Sequence, residues 1–446
     1  MNYSELTGME IKKLFAKFLL PSIFAMLGIS VNIICDTVFI GQGVGKEGLS
    51  ALGIAIPVYS LYNAVSLIID MGGATLFSIF LGKNDIKGAR DVYSSSVFMA
   101  LGVGLLISFF GFIYSENISK AFGASNELLD LTDTYLKIIL LSGFNFILSG
   151  VLAVFLRNDG APKVSMMAVI TGSLTNIVLD YIFIIRLGMG MRGAAIATGI
   201  APLVTIAIIL IWILKNPKNM KFSITHVKTK IAFMPKILSI GWSSSLIEIS
   251  SAIVIIIFNF TILSIIGPIG IAAYSIIANI AMVGTSILTG AGQSVQPIIS
   301  VNYGAGIFSR VEDTKRLAER FSLFTGIFLF AVVMLFTKPI IMVFNSTDAQ
   351  LLELTSNGIR LYFLAFILMG INIVNISFFQ AISYANISNT LSFIRGFVLM
   401  ITNLYILSRM FGINGVWLTL PATELGSFIA VMIVIRTLKR KKAYLS

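Results

Sequence analysis

Apolar residues in this chain do not alternate, and they do not recur on one narrow helical stripe. They fill whole stretches, separated by short polar turns. A helix of roughly 20 predominantly apolar residues crosses the hydrocarbon of a bilayer. Stretches of that order fall at 14–40, 52–80, 93–114, 131–156, 164–187 and 193–214, and again at 236–265, 272–303, 318–337, 355–380, 391–410 and 413–435. Between the two sets lies the polar segment KNPKNMKFSITHVKTK, 215–230. The pattern predicts an all-α polytopic membrane protein with twelve transmembrane helices. It divides into an N-terminal lobe (1–214), a linker (215–235) and a C-terminal lobe with a basic tail (236–446).

The two sets are related. At an offset of 222 positions, the distance from Gly82 to Gly304, the halves align. Gly45, Gly48 and Ala51 fall on Gly267, Gly270 and Ala273. Ser78 falls on Ser300, and Gly190 and Gly193 fall on Gly412 and Gly415. Each half holds an even number of spans, so both halves enter from the same side. The repeats are therefore parallel, about an axis along the membrane normal. Two similar six-helix bundles with a central cleft suit a carrier that works by alternating access. A single-site membrane enzyme has no need of such a duplication.

Composition agrees: 57% of residues are hydrophobic, 12% are charged, and mean hydropathy is +0.94. The formal charge of +12 would suggest nucleic acid if it were clustered on one soluble surface. Instead, 24 Lys and Arg fall at the N-terminus, in the loops after the even-numbered runs and in the tail. The opposite loops hold only Lys46, Lys120, Arg186, Arg192, Lys338 and Arg409. This asymmetry places both termini in the cytoplasm. It assigns the basic character to topology, with no nucleic-acid partner. The tail RTLKRKK could also touch anionic membrane lipid. Cys35 is the one cysteine and His226 the one histidine, so neither a disulfide nor a histidine centre is expected. No cleavable signal peptide is evident.

Five acids lie inside apolar runs: Asp36, Asp70, Asp180, Glu248 and Glu424. An ionised side chain at mid-membrane costs about 2.5–3.5 kcal/mol on insertion scales, so such residues point to function. At a rise of about 1.5 Å per residue, Asp36, Asn176, Asp180, Tyr135 and Thr198 share one layer in the outer half of the first bundle. Asn176 and Asp180 are four apart, on one helical face. Two carboxylates, an amide, a phenol and a hydroxyl suit a hard cation. They could hold Na⁺ (Asp36, Asn176, Asp180 and Thr198), or a proton shared by the two acids. The ordinary alternative is interhelical polar glue. The aligned positions of the second half are Phe258, Val398 and Thr402, so the cation site should exist only in the first bundle. Glu248 and Glu424 fall near mid-membrane in the second bundle and are candidates for attracting a cationic substrate. Gln293 is a weaker candidate for the same role. Pro21 is a candidate bend in the first helix. Asp70 has no evident partner.

LPSIFAMLGISVNIICDTVFIG, SIFLGKNDIKGAR, TNIVLDYIF followed by GMGMRGAAIATGIA, and GAGQSVQPIISVNYGAG together resemble the multidrug and toxic compound extrusion (MATE) family. The resemblance covers essentially the whole chain and is nearest to the Gram-positive multidrug exporter branch. It implies a V-shaped antiporter of the inner (cytoplasmic) membrane that expels cationic amphipathic compounds against H⁺ or Na⁺. No cofactor beyond that ion is implied, and the protein is expected to work as a monomer. Asp36, Asn176, Asp180 and Thr198 match the family's N-lobe cation site, Tyr135 a polar neighbour of it, and Pro21 its bending proline. Asp70 departs from the pattern.

The competing readings are weaker. A lipid-linked precursor flippase of the same superfamily would want a cationic cleft, whereas buried basic residues are expected only at helix ends. An intramembrane aspartyl protease would not need the duplication, and the chain carries no GxGD motif. A channel would show a filter sequence. No enzyme activity is expected.

Overall fold

The computed structural model describes residues 3–216, 219–221, 227–343 and 348–440. Within them the chain is helical, with no strand. Twelve spans follow one another: α1 (Ile11–Gly43), α2 (Lys46–Gly82), α3 (Ile86–Ile113), α4 (Leu129–Leu141 and Gly143–Asn158), α5 (Pro162–Arg186) and α6 (Gly190–Lys215) form one lobe. The second lobe holds α7 (Val227–Ile266), α8 (Pro268–Gly304), α9 (Phe308–Leu335), α10 (Ala349–Ala381), α11 (Ala385–Phe411) and α12 (Ile413–Arg440). The helices outrun the apolar stretches at most ends. The seventh starts at Val227, inside the stretch expected to be linker. The remaining linker centre, with His226, and the tail beyond Arg440 lie outside the described residues.

The repeat is visible in the turns. Gly45 and Gly267, aligned by the offset, join the first two helices of each lobe with φ of 89° and 74°. Gly190 and Gly412 open the last helix of each lobe, both at φ 57°. Only glycine takes these conformations without strain. Asp85 caps α3 by accepting from the Gly88 N–H at 2.8 Å, and Asp348 caps α10 by accepting from Gln350 and Leu351.

Two irregularities bear on the site. The two segments of α4 meet at an angle of 46°. α5 passes from α to π geometry at Tyr181, directly after Asp180, and α11 has a π segment over Ile394–Leu399. Such local unwinding is frequent at functional positions. α1 runs unbroken through Pro21 in this conformation, so the expected bend does not interrupt the helix.

The lobes meet mainly in the half of the molecule nearest the start of α1 and the end of α12, here called the terminal face. A Cβ on Gly82 would strike the Val301 carbonyl, one on Gly304 the Ile79 carbonyl, one on Gly241 the Ile68 carbonyl, and one on Gly290 the backbone of Ile23. Phe15 and Phe321 pack edge to face across the same seam, with ring centroids 6.0 Å apart. One apolar core runs through the N-terminal lobe and this seam. A separate core fills the far half of the C-terminal lobe around Phe258, Tyr274 and Trp417. Towards the far face, large side chains on α1 and α7 are exposed, among them Val31, Val38, Ile256 and Phe260. Away from the terminal face the two lobes keep separate apolar cores.

Candidate cation site

α1 brings Asn32 and Asp36 to one face, one helical turn apart. α5 brings Asn176 and Asp180 at the same spacing. Asn32 Nδ2 donates to Asn176 Oδ1 in a short hydrogen bond and to the Ser173 carbonyl at 3.4 Å. Asn176 Nδ2 in turn donates to Thr198 Oγ1 on α6 at 3.5 Å. Tyr59 on α2 and Tyr135 on α4 share a hydroxyl–hydroxyl bond of 2.6 Å, and Tyr59 also reaches Thr198. The two carboxyl groups lie within hydrogen-bonding reach of each other. All five residues expected to share a layer do so.

Electrostatically the layer is acceptor-rich. Asp36 Oδ1 and both carboxylate oxygens of Asp180 are buried without a hydrogen-bond donor. Among the described residues no Lys or Arg is ion-paired with either acid. Buried carboxylate oxygens are normally satisfied, and leaving them bare is costly. A proton bridging the pair, or a hard cation held by the carboxylates with Asn176 and Thr198, would satisfy them, because Na⁺-like ions take oxygen ligands. Asp180, Asn176 and Tyr135 are fully enclosed, whereas Asp36, Tyr59 and Thr198 are partly exposed, which marks their side as the entry.

Sequence reasoning missed Asn32 and Tyr59. For Asn32 the signal was present: NIICD and NIVLD carry the same Asn-x-x-x-Asp spacing on the two helices that meet. Tyr59 had no comparable signal. The second lobe has no counterpart of the layer. Val254 and Phe258 align with Asn32 and Asp36 and sit in the dry core, where Phe258 stacks on Tyr274 and Tyr274 on Trp417.

The second-lobe candidates separate. Glu248 is half-buried on α7 and faces Asn63 of α2 across the cleft, at 3.5 Å from its amide. Glu424 is not a free anion. Arg395 of α11 donates Nε and Nη2 to Glu424 Oε1 at 3.0 and 2.6 Å, and Asn372 of α10 donates to Oε2 at 2.6 Å. The charge is neutralised, which corrects its assignment as a lure for cationic cargo. It also corrects the expectation that buried basic residues lie only at helix ends. Arg395 lies inside α11, in its π segment. Gln293 joins neither acid and instead accepts from Arg157 Nη1 at 2.7 Å in the lobe seam. Asp70 is buried, accepts from Ser66 at 3.2 Å and interacts electrostatically with Arg157.

A duplicated all-helical membrane protein with an acidic layer in one lobe has the architecture of two-lobe membrane carriers. The MatE family profile matches residues 21–182 and 244–406, most of the chain, and the chain belongs to the MatE family. It is 28% identical over 426 residues to the multidrug export protein MepA of Staphylococcus haemolyticus, covering 95% of this chain and 93% of that one. It is 27% identical to MepA of Staphylococcus aureus at the same coverage. Among solved structures, a MATE transporter in complex with MaL6 superposes with a TM-score of 0.92 at 24% identity, covering 98% and 99% of the two chains. An outward-facing multidrug resistance MATE transporter of the MOP superfamily gives 0.91 at 23%, covering 99% of each.

Proposed function

We propose that this protein is an H⁺- or Na⁺-coupled antiporter that exports small cationic amphipathic compounds across the cytoplasmic membrane. Both termini are then in the cytoplasm, and the cleft opens outward. The observation that carries this reading is the Asp36–Asp180 pair inside the apolar spans, with Asp36 Oδ1 and both Asp180 oxygens buried without a donor. The likeness to chains named as multidrug export proteins supports it. The lobes 1–214 and 236–446 act as the two moving bodies, and one chain holds a complete site, so the working unit is the monomer in contact with membrane lipid.

In this cycle an external cation enters past Asp36 and neutralises the pair. The α1–α5 contact through Asn32 and Asn176 tightens, and the cleft releases cargo outward. The terminal face then opens and the cation leaves to the cytoplasm. Each charge moving inward is worth about 2.3 kcal/mol per 100 mV. Glu248, facing Asn63 in the cleft, is the acid placed to meet a cationic cargo. The flippase alternative is not favoured. Arg395 is ion-paired with Glu424, so its charge is not free to meet a pyrophosphate.

The test is efflux of ethidium from reconstituted vesicles under an imposed proton or sodium gradient. Wild type should export under at least one gradient, and Asp36→Asn and Asp180→Asn should not. Dye that neither gradient moves, or mutants that transport normally, would reject the reading.

A further inference from the structure

Arg157 is buried near the terminal-face end of α4. Its Nη1 reaches across the lobe seam to Gln293 Oε1 at 2.7 Å. Beside it, Gln296 Nε2 donates to Thr75 Oγ1 at 3.1 Å, also between lobes. Within its own lobe, Arg157 has an electrostatic counterpart in Asp70 of α2, and its Nη2 lies 4.0 Å from the sulfur of the next residue, Met71. The two charges nonetheless form no direct ion pair. Asp70 Oδ1 is buried without a donor, and Arg157 Nε is buried without an acceptor. The other nearby acid, Asp159, accepts from Asn219 at 2.8 Å.

A guanidinium cannot shed its proton, and a buried one cannot be left unpaired cheaply. When the lobes part at the terminal face, Gln293 leaves with α8. Helical side chains lean back toward the helix N-terminus. Retraction therefore carries Arg157 along α4 toward Gly150, two turns earlier. A Cβ on Gly150 would lie 3.5 Å from Asp70 Oδ2, so the missing side chain lets Asp70 sit close against that turn. Asp70, the partner needed for a new ion pair, already lies there.

We propose that Arg157 is a two-position latch, bonded to Gln293 while the terminal face is closed and to Asp70 once it has opened. Asp70 is then a positioning residue for opening, acting through Arg157. The inference rests on the alternating-access reading for its two states, but not on the nature of cation or cargo.

The experiment is a spin-label distance measurement in lipid nanodiscs on full-length protein in a Cys35→Ser background. Labels go on Asn84→Cys and Ser309→Cys, exposed positions just after α2 and at the start of α9. Gln293→Leu should raise the ratio of parted to closed terminal faces, and Asp70→Asn should lower it, each by about tenfold, the worth of one charge-assisted hydrogen bond. Asp70→Glu should restore the wild-type ratio. Opposite shifts with rescue establish the latch. Shifts in the same direction, or an unchanged ratio in Asp70→Asn protein that elutes and melts like wild type, overturn it. If Asp70→Asn does not fold, Asp70→Glu beside Gln293→Leu decides: a Glu variant that shares the leucine variant's shift rejects the proposal. Because the readout involves no transport, a wild type that fails to export dye yet shows these shifts would sink only the antiport reading.

Discussion

Gly82 and Gly304 are the same residue of the repeat, and each presses its bare Cα against the other's helix. Gly82 meets the carbonyl of Val301 and Gly304 that of Ile79, and these two carbonyl residues are themselves related by the offset. The seam at the terminal face is thus a symmetric glycine contact between α2 and α8. A side chain on either glycine would hold the lobes apart, because backbone cannot yield as a flexible side chain can. Gly82→Val and Gly304→Val should each destabilise the closed terminal face, by about 1–3 kcal/mol as overpacking does, and by similar amounts. Gly53→Val, at a position with open space around it, should do nothing. Distances between labels on the two lobes would check this, and unequal effects of the symmetric pair would count against it.

The Arg395–Glu424 pair gives a second prediction. Glu424 is 1% exposed and accepts from both Arg395 and Asn372. Removing the arginine leaves a buried acid with one of its three side-chain donor groups, the Asn372 amide. Arg395→Met should lower stability by about 3–5 kcal/mol, and Arg395→Met with Glu424→Leu should recover most of that loss, as apolar replacement of buried pairs does. Thermal unfolding in detergent reads both. If the double variant is no more stable than the single, the pair is not what holds α10, α11 and α12 together.

These features differ in how far the chain announced them. The twelve spans, the parallel repeat and the acidic layer were legible because apolar run length and intramembrane charge are local properties of the sequence. The Gly45 and Gly267 turns were legible because the offset paired them. Pairings across helices were not. Nothing near Glu424 in sequence says that Arg395, on the preceding helix, points at it, since lipid-facing and core-facing positions carry the same apolar residues. Gln293 was only a weak candidate for the cleft, and it lies in the lobe seam, accepting from Arg157. Asn32 could have been read from NIICD beside NIVLD. It was passed over because a single amide in a helix needs no explanation until its partner is known.

Asn32 is also the residue whose loss should separate cation binding from folding. It orients Asn176, a candidate cation ligand, without being one of the two acids. Groups that orient ion ligands are typically worth about 10–100-fold in ion affinity. Asn32→Leu should therefore raise the cation concentration needed for half-maximal efflux by roughly that factor, with little change in unfolding temperature. A variant with wild-type cation dependence would show that Asn32 only packs α1 against α5.

The last prediction concerns which ion the pair takes. Asp36 and Asp180 can be bridged by a proton or can face a metal cation, but the same oxygens cannot do both at once. Ion binding to carboxylates therefore releases whatever proton bridged them, and Na⁺ affinity falls as pH falls. If one proton is displaced per Na⁺ bound, the half-saturating Na⁺ concentration should rise by up to about tenfold for each unit of acidification while the pair is protonated, and level off once it is ionised. The measurement is Na⁺ binding by calorimetry across pH in detergent-purified protein, with proton release taken from buffers of different ionisation enthalpy. Asp36→Asn, with one carboxylate left, should bind Na⁺ weakly and lose the shared-proton dependence. A Na⁺ affinity indifferent to pH would mean that the pair never holds the proton. Absence of Na⁺ binding at any pH would leave the proton as the coupling ion.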